Sequence, residues 1–377
     1  MGRLDVESIE KGARIVWVSL GERSYPILIA RGLLSDAGKM ITDNLNSAHK
    51  CAIVTSPEIT AIYGKTLSQS LLNARLDPSL ILVPDGEESK SWEKAGDLAG
   101  KLVDIDLDRN SIIVSLGGGV IGDLAGFVSA IYLRGVRLVH IPTTLLGQVD
   151  SSIGGKTAVN HPKGKNLIGA FHQPSLVLID PNLLRTLPLR ELKSGLAEVV
   201  KYAVVSDVGL FRLLEERASE LVQGDPPTLT EVIVRCCEIK AKLVELDERD
   251  TRGLRAALNY GHTVGHALDT LSGLRIRHGE AIAVGMVVAS RIAAHLGMLS
   301  REDLMRQISI LDRIGLSTEL PEKFDALHLN EIMHHDKKAS KGSVRFVLPT
   351  GIGKPVTLTP VSDELIYRAL EGNINEA

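Results

Sequence analysis

The sequence predicts an α/β protein with an N-terminal domain built on a mostly parallel sheet and a C-terminal all-helical domain. Two observations support this fold class. Short β-rich runs alternate with helical stretches up to about residue 180, whereas from Arg190 to Arg313 apolar residues recur every three or four positions. Pro181 and Pro188 punctuate the junction, so we place the boundary at residue 182 and predict domains at 1–182 and 183–377.

The predicted strands are short apolar runs bounded by turn-forming residues. In chain order they are Ile15–Ser19, Cys51–Thr55, Leu80–Val83, Ser111–Leu116, Leu138–Ile141 and Leu176–Ile179. In the second half, spacings such as that of Leu196, Val199, Val200 and Ala203 are typical of helices with one apolar face. Val344–Leu348 is predicted as an extended segment near the C-terminus.

The composition excludes several classes of partner. A net charge of -3 and a charged fraction of 24% leave no basic excess for nucleic acid or an anionic membrane. No apolar run approaches the length of a membrane span, and the segment MGRLDVESIEK lacks the apolar core of a signal peptide. Cys51, Cys236 and Cys237 cannot form a disulfide framework. We therefore expect a cytoplasmic protein that binds neither nucleic acid nor membrane.

A glycine-rich loop, Gly117–Asp123, follows the predicted strand Ser111–Leu116 and opens a helix. Glycines let backbone N–H groups approach a phosphate, and the positive end of the helix favours that anion. The spacing does not follow G-x-G-x-x-G, so a tight turn without a ligand is the alternative interpretation. Asp150, Lys156, Lys165 and Asn166 follow closely and are more polar than packing requires, which favours a binding site.

Histidines and one carboxylate in the helical half predict a divalent metal site. His262 and His266 lie four residues apart on one helix face, and His278 follows after a loop. Glu198 stands on a mainly apolar helix face, three residues before Lys201. A lone histidine is more often a hydrogen-bonded surface or core residue, but this combination of imidazoles and a carboxylate suits a zinc-type ion. The spacing leaves open whether His262 or His266 is the ligand.

Six segments together carry a family resemblance. They are GGGVIGDLAGFVSA, LRGVR, PTTLLGQVDSSIGGKTAVNHPKGKNLIGAF, GLAEVVKY, LRAALNYGHTVGHALD and HGEAIAVGM, and the likeness around them runs from about residue 84 to about residue 348. In this order they resemble the 3-dehydroquinate synthase family of the shikimate pathway. The resemblance implies an N-terminal Rossmann-like NAD-binding domain and a C-terminal helical domain that binds zinc or cobalt. It also implies the substrate 3-deoxy-D-arabino-heptulosonate 7-phosphate, and a homodimer.

The resemblance also implies roles for individual residues. The metal ligands would be Glu198, His262 and His278, with His266 beside them in a substrate-contacting or proton-transferring role. Residues matching substrate contacts or the reacting end are Asp150, Lys156, Lys165, Asn166, Lys201, Lys240, Arg255 and Asn259. Arg134 would reach the neighbouring subunit's phosphate site. Residues matching NAD contacts are Asp85, Glu87, Lys90, Gly117, Gly118, Gly119, Asp123, Thr143 and Thr144.

The chain departs from the family pattern at two places, and three alternative functions compete. The interval from Lys240 to Arg255 is about one residue longer than the family spacing, and Gly147 stands where the family usually has alanine. A final basic contact, expected between Lys337 and Arg345, cannot be aligned. The alternatives are another sugar-phosphate cyclase, a metal-dependent alcohol dehydrogenase of similar plan, and an NAD-binding sensor without activity.

Overall fold

A computed structural model describes residues 13–46, 48–273, 275–321, 324–335 and 344–372 of the chain. The chain divides into two units: Met1–Leu187 with Leu229–Arg249, and Pro188–Thr228 with Asp250–Ala377. The first unit thus includes a segment that the predicted boundary assigned to the helical half. Part of the predicted basic stretch, Lys337 and Lys338, lies outside the described residues.

The sheet strands of the first unit are β1 (Arg14–Val18), β2 (Tyr25–Ile29), β3 (Lys50–Thr55), β4 (Asp77–Leu82), β5 (Ile112–Gly117), β6 (Arg137–Pro142) and β9 (Leu176–Ile179). They form a seven-stranded sheet with the order β1-β2-β9-β6-β5-β3-β4. Among the described residues of this sheet, β1 and β2 pair in antiparallel fashion and the other neighbours are parallel. The helices before residue 188 are α1 (Ala37–Asn44), α2 (Pro57–Ile59), α3 (Lys65–Asn73), α4 (Trp92–Asp104) and α5 (Gly119–Ile131).

Two apolar cores cover the two faces of this sheet. On β5, Ile112 and Val114 pack into the core that contains α1 and α3, whereas Ile113 packs into the core that contains α4 and α5. Alternate side chains of a strand point to opposite faces, so a strand buried on both faces needs a continuous apolar run. The apolar run Ile112–Val114 meets that need, and the buried strand that contains it fixes where the glycine loop begins.

A separate hairpin of β7 (Lys156–His161) and β8 (Gly164–Phe171) follows the sheet strand β6. Its register shifts between Val159 and His161. The sequence of this segment predicts a polar binding region without strands, because its lysines and asparagines interrupt the apolar alternation.

The second unit is rich in helices but is not all-helical. Its helices are α6 (Leu189–Ser206), α7 (Val208–Val222), α9 (His262–Ser272), α10 (His278–His295), α11 (Arg301–Ile314), α12 (Ala326–His335) and α13 (Asp363–Leu370), while α8 (Pro226–Leu246) falls mostly in the first unit. An antiparallel hairpin joins β10 (Val344–Pro349) to β11 (Val356–Val361). The extended segment predicted at 344–348 therefore has a strand partner. Among the described residues, no helix is both long and apolar enough to cross a membrane.

Candidate active site

The glycine loop lies at the carboxyl end of β5, as its sequence position predicts. Gly118 is the N-cap of α5, and no side chain caps this helix end. The first N–H groups of α5 consequently lack an intrahelical acceptor. A Cβ atom on Gly118 would lie 3.0 Å from Thr144 Cγ2, and one on Gly119 would lie 3.3 Å from Ser151 Oγ. Glycine at these positions keeps open a space that a side chain would fill.

A cleft next to this loop has the features of an anion-binding site. Ser115, Gly117, Gly118 and Ser151 are among the residues that line it. Thr143 lies beside the loop, since its backbone N–H donates to the Gly117 carbonyl at 3.0 Å. Within the described part of the chain, the buried Thr143 hydroxyl has no hydrogen-bond partner. A buried hydroxyl in this position fits a ligand that supplies the missing partner.

Lys90 joins residues that the sequence analysis assigned to two different ligands. Its Nζ lies 2.6 Å from Asp123 Oδ2, 2.6 Å from Asn166 Oδ1 and 4.0 Å from Glu87 Oε1. The lysine side chain is only 5% exposed, so its charge is balanced by these acids rather than by water. Burial raises the pKa of Asp123, and the Lys90 cation opposes that rise. Three expected cofactor residues and one expected substrate residue thus form one cluster.

Asn160 is a member of this cluster that the sequence analysis missed. Its backbone N–H donates to the Lys90 carbonyl at 2.7 Å, and its Nδ2 donates to Glu87 Oε1 at 2.7 Å. Its Oδ1 accepts from the backbone N–H of Asn166 at 2.9 Å. Asn166 has a φ of 55°, a left-handed conformation in which asparagine is more common than most residues. Asn160 therefore fixes the hairpin next to Lys90.

Asp150 and Lys240, both expected to contact substrate, form an ion pair in the first unit. Lys240 Nζ lies 2.6 Å from Asp150 Oδ1 and also 2.6 Å from the Asp150 carbonyl oxygen. Nearby on α8, Cys237 Sγ contacts the Gln148 carbonyl at 3.4 Å. These contacts explain why Leu229–Arg249 belongs to the first unit although its sequence is helical.

The remaining predicted residues of the first unit are more dispersed. Lys156 and Lys165 are exposed on β7 and β8, respectively. Asp85 forms a hydrogen bond with Glu58, which raises the pKa of the Glu58 carboxyl. Arg134 is exposed at the end of the α5 segment and has a φ of 65°, directly after Leu133 with a φ of 48°. Two consecutive left-handed non-glycine residues are strained, which is often found at functional sites.

In the second unit, the structure brings together the three residues predicted as metal ligands. One ligand atom each from Glu198, His262 and His278 lies within 4.8 Å of the others. His278 Nε2 lies 3.2 Å, and His262 Nε2 3.7 Å, from Glu198 Oε1. Three donors of this type fit a divalent ion of the zinc class and leave room for a further ligand.

The close packing of α10 against α6 and the start of α9 brings the three triad residues together. Gly279, directly after His278, donates its backbone N–H to Ser194 Oγ of α6 at 2.9 Å. A Cβ atom on Gly279 would overlap the Ser194 backbone, and one on Gly285 would overlap the Gly261 carbonyl. Only glycine permits these approaches of α10 to α6 and to the start of α9. The sequence HGEAIAVG therefore positions His278 beside the Glu198 helix.

The electrostatics of the triad suit metal binding. Lys201 forms an ion pair with Glu198 Oε2, and both side chains are buried. Burial favours the neutral carboxyl, but Lys201 and the two imidazoles outweigh it and hold the pKa of Glu198 well below its ordinary value. Burial and the Lys201 cation lower the pKa of His262 well below its usual range. An ionised carboxylate and a neutral imidazole are the forms that bind metals.

The other predicted residues of this unit lie on the same or adjoining segments. The His266 ring centroid is 5.2 Å from that of His262, but His266 is not part of the triad. Arg255 is buried, and Asn259 half-buried, in the short helix that precedes α9. The geometry thus favours His262 as the ligand of the histidine pair that sequence spacing left open.

Comparisons with known proteins match nearly the whole chain to one protein family. The family model for the 3-dehydroquinate synthase N-terminal region matches residues 80–194, and that for the C-terminal region matches residues 195–339. The 3-dehydroquinate synthase of Pelobacter propionicus is 46% identical over 353 residues, which cover 93% of this chain and 98% of that protein. The one from Desulforamulus reducens is 48% identical, covering 90% of this chain and 94% of that protein.

Solved structures share the fold. The 2-epi-5-epi-valiolone synthase of Streptomyces hygroscopicus, solved with NAD+ and Zn2+ bound, gives a TM-score of 0.85 at 30% identity and covers 93% of this chain and 97% of its own. A 2-deoxy-scyllo-inosose synthase with carbaglucose-6-phosphate, NAD+ and Co2+ gives 0.86 at 26% identity, covering 95% and 100%. An iron-containing alcohol dehydrogenase gives 0.63 at 16% identity, covering 96% and 99%, a likeness of fold alone. Together with the family-model matches, these similarities establish that the chain belongs to the 3-dehydroquinate synthase family.

Proposed function

We propose that this protein converts 3-deoxy-D-arabino-heptulosonate 7-phosphate to 3-dehydroquinate and phosphate, with NAD and a divalent metal as cofactors. The single observation that carries the proposal is the triad of Glu198, His262 and His278, assembled beside Lys201. These residues stand in the family motifs, and relatives named 3-dehydroquinate synthase share nearly the whole chain.

Zinc or cobalt would be held by Glu198, His262 and His278. When bound, such an ion supplies Lewis acidity, which polarises substrate oxygens without moving a proton. The protein prepares the site by keeping Glu198 ionised through Lys201 and His262 neutral through burial. The Lys201 ammonium, held by Glu198, also offers a cation for a substrate oxygen.

NAD would bind at the glycine loop of the first unit, with its pyrophosphate at the start of α5. When bound, it supplies a reversible oxidation of a substrate hydroxyl, so that no net reductant is consumed. The N–H groups of α5 and the Thr143 hydroxyl are available for the anion. Asp85 and Glu87 favour NAD over NADP, because carboxylates near the ribose repel a 2′-phosphate. The complete set proposed for the cofactor is Asp85, Glu87, Lys90, Gly117, Gly118, Gly119, Asp123, Thr143 and Thr144.

Charged and amide side chains would bind the oxygen-rich substrate. The residues proposed for this role are Lys156, Lys165, Asn166, Lys201, Lys240, Arg255 and Asn259. A hydrogen bond from a charged group contributes roughly 1.5–3 kcal/mol. Holding a flexible substrate in a reactive conformation lowers the barrier by roughly 7–11 kcal/mol, more than one general acid or base supplies. Positioning is therefore the main task of these side chains.

His266 and Asp150 are proposed as the groups nearest the reacting atoms. His266 is exposed next to the metal triad and is not one of its three members, a position that suits a residue that moves a proton. Asp150, fixed by Lys240, is held as an acceptor for a substrate hydroxyl. Both roles rest on the family resemblance together with these contacts.

A product assay tests the proposal. The purified protein, supplied with the heptulosonate phosphate, a trace of NAD and zinc or cobalt, should release phosphate and dehydroquinate in equal amounts over many turnovers. NADH that accumulates in proportion to product would favour an alcohol dehydrogenase instead. Turnover of a different sugar phosphate, with none of the heptulosonate phosphate, would assign the protein to another cyclase activity of the same fold.

We further propose a cytoplasmic homodimer in which Arg134 reaches the phosphate site of the neighbouring subunit. Cys51, Cys236 and Cys237 are buried free thiols, as is common in a reducing compartment. Arg134 is exposed at the end of the α5 segment, where its backbone has a left-handed φ of 65°. An arginine recognises phosphate in a bidentate, charge-assisted way.

A further inference from the structure

Ser115 and His140 form a buried polar pair beneath the glycine loop. They are directly opposite in the parallel register of β5 and β6. Ser115 Oγ lies 2.6 Å from His140 Nδ1. Ser115 is 3% exposed and His140 5%, so both polar side chains are buried within the sheet. Neither residue is among those assigned above to cofactor, metal or substrate.

The two distances of the serine hydroxyl select a histidine tautomer. Ser115 has one proton to donate, and its possible acceptors are His140 Nδ1 at 2.6 Å and the Val139 carbonyl at 3.5 Å. The shorter contact makes the stronger hydrogen bond. The favoured tautomer therefore has Nδ1 as acceptor and the ring's own hydrogen on Nε2, because the other tautomer would leave Ser115 to donate only across 3.5 Å to Val139.

The free edge of His140 is available to the cleft. Within the described part of the chain, the ring makes a single hydrogen bond, the one at Nδ1. His140 lines the cleft together with Gly117, Gly118 and Gly122. Gly122 presents no side chain to the ring, since a Cβ there would lie 3.6 Å from His140 Cε1. Burial, reinforced by His172, lowers the pKa of His140 to about 4, so the ring is neutral near pH 7. A neutral donor suits an anion without adding a buried charge.

We propose that His140 is a cofactor-binding residue, which donates from Nε2–H to the pyrophosphate of the dinucleotide in the tautomer selected by Ser115. This inference rests on the proposed function, because the pyrophosphate is expected at the neighbouring glycine loop. It adds a donor from the strand beneath the loop to those supplied by the backbone of α5.

Calorimetric titration of the metal-loaded dimer with NAD+ and with ADP-ribose tests the inference. His140→Leu keeps the side-chain volume and removes the donor, so the Kd for both ligands should rise about tenfold to a hundredfold. His140→Gln restores an N–H donor of similar reach and should recover most of the affinity. Ser115→Ala removes the hydrogen bond that fixes the tautomer of His140, so it should lower the affinity for both ligands by less than His140→Leu does. Thermal unfolding of each variant without ligand separates affinity from folding, and if His140→Leu does not fold, the Gln and Ala variants decide.

Each outcome has one interpretation. Equal affinity of wild type and His140→Leu for ADP-ribose would overturn the inference, as would a His140→Gln variant as weak as His140→Leu. A loss seen with NAD+ but not with ADP-ribose would place the ring at the nicotinamide and also overturn it. If the wild-type protein binds neither ligand, the proposed function fails instead, whatever the variants do.

Discussion

The Nδ1 atom of His262 lies 3.1 Å from the backbone carbonyl oxygen of Tyr260. A carbonyl can only accept, so Nδ1 must carry the proton, and Nε2 keeps its lone pair. That lone pair belongs to the atom 3.7 Å from Glu198 Oε1. The backbone two residues before the ligand therefore sets the tautomer that metal binding through Nε2 requires.

Alanine substitutions of the two histidines on α9 should differ in their effect on metal content. We expect His262→Ala to lose stoichiometric metal, because it removes one of three ligands. His266→Ala should keep the metal and lose rate, since its ring lies beside the triad without joining it. Elemental analysis and steady-state rates of the same preparations provide the measurement. Metal loss in His266→Ala with retention in His262→Ala would reverse the assignment.

Tyr260→Phe should weaken metal binding although Tyr260 is not a ligand, because the Tyr260 carbonyl orients His262. The Tyr260 hydroxyl lies 2.6 Å from Ser290 Oγ, 2.9 Å from Gln307 Oε1 and 3.0 Å from the Met286 carbonyl, all buried. Its removal should lower the free energy of unfolding by about 1–3 kcal/mol. It should also loosen the Tyr260 carbonyl and lower zinc affinity by about tenfold, measured by chelator competition.

Tyr367→Phe is the matched control for this variant. The Tyr367 hydroxyl accepts from Asn330 Nδ2 at 3.1 Å, and Tyr367 lies on α13, which carries none of the triad. It should lose some stability and leave zinc affinity unchanged. Equal zinc affinities of Tyr260→Phe and wild type would show that the buried hydroxyl has no influence on the ligand.

The triad could be predicted from sequence only in part. Spacing placed His262 and His266 on one helix face, and only the family motif chose between them. The structure adds a physical reason that spacing lacks, which is the Tyr260 carbonyl that orients one ring. The carbonyl of a residue contributes nothing to a sequence pattern, so no inspection of residue types could have found it.

Local patterns also explain which elements were predicted. Leu176–Ile179 was found with its observed bounds, because an apolar run between turn residues is unambiguous. Strand β2 was missed, since Pro26 interrupts its run near the sheet edge, where β1 pairs with it. Asn160 was missed because its contacts join segments distant in sequence, Glu87 and Lys90 among them. Such contacts follow from folding, not from local propensity.

The Gly119→Ala variant should fold normally and bind NAD more weakly. The new Cβ would lie 3.3 Å from Ser151 Oγ, a contact that a small shift relieves, and it would occupy the space beside the loop. We expect the free energy of unfolding to change by less than about 1 kcal/mol and the Kd for NAD+ to rise about tenfold or more. Gly100→Ala is the control, because nothing lies within 4 Å of its Cβ position in α4. Unchanged NAD affinity in Gly119→Ala would count against the pyrophosphate position.

Lys90→Met should destabilise the protein in a pH-dependent way. Burial raises the pKa of Asp123 above its ordinary value of 3.8, and Lys90 opposes this, so removal of the cation raises that pKa further. A carboxyl with a raised folded pKa contributes stability that is fully present below the unfolded pKa and is lost as pH rises through the folded pKa. The deficit of the variant should therefore be small near about pH 4 and grow to about 3 kcal/mol towards about pH 7.

Denaturant unfolding of wild type, Lys90→Met and the double variant Lys90→Met/Asp123→Asn across this range provides the measurement. The double variant removes the titrating carboxyl, so its deficit should not grow with pH. A Lys90→Met deficit that shrinks as pH rises would contradict the ion pair as described.

Arg134 offers the sharpest test of the proposed dimer. A cation at a helix end has a simpler explanation, since it interacts favourably with the helix dipole. That role would give Arg134→Ala a loss of stability and no loss of activity. If Arg134 instead binds phosphate in the neighbouring subunit, Arg134→Ala should raise KM strongly while the fold and metal content stay intact.

Subunit mixing then separates the two subunits' contributions. Arg134→Ala and Lys156→Ala should each be nearly inactive alone, because every site in either homodimer lacks one phosphate or substrate contact. In a heterodimer, one site loses both residues and the other regains both. After statistical exchange about half of the dimers are mixed, each with one intact site, so activity should recover to about a quarter of the wild-type value. Demonstrated heterodimers without recovery would place Arg134 in its own subunit's site or outside any site.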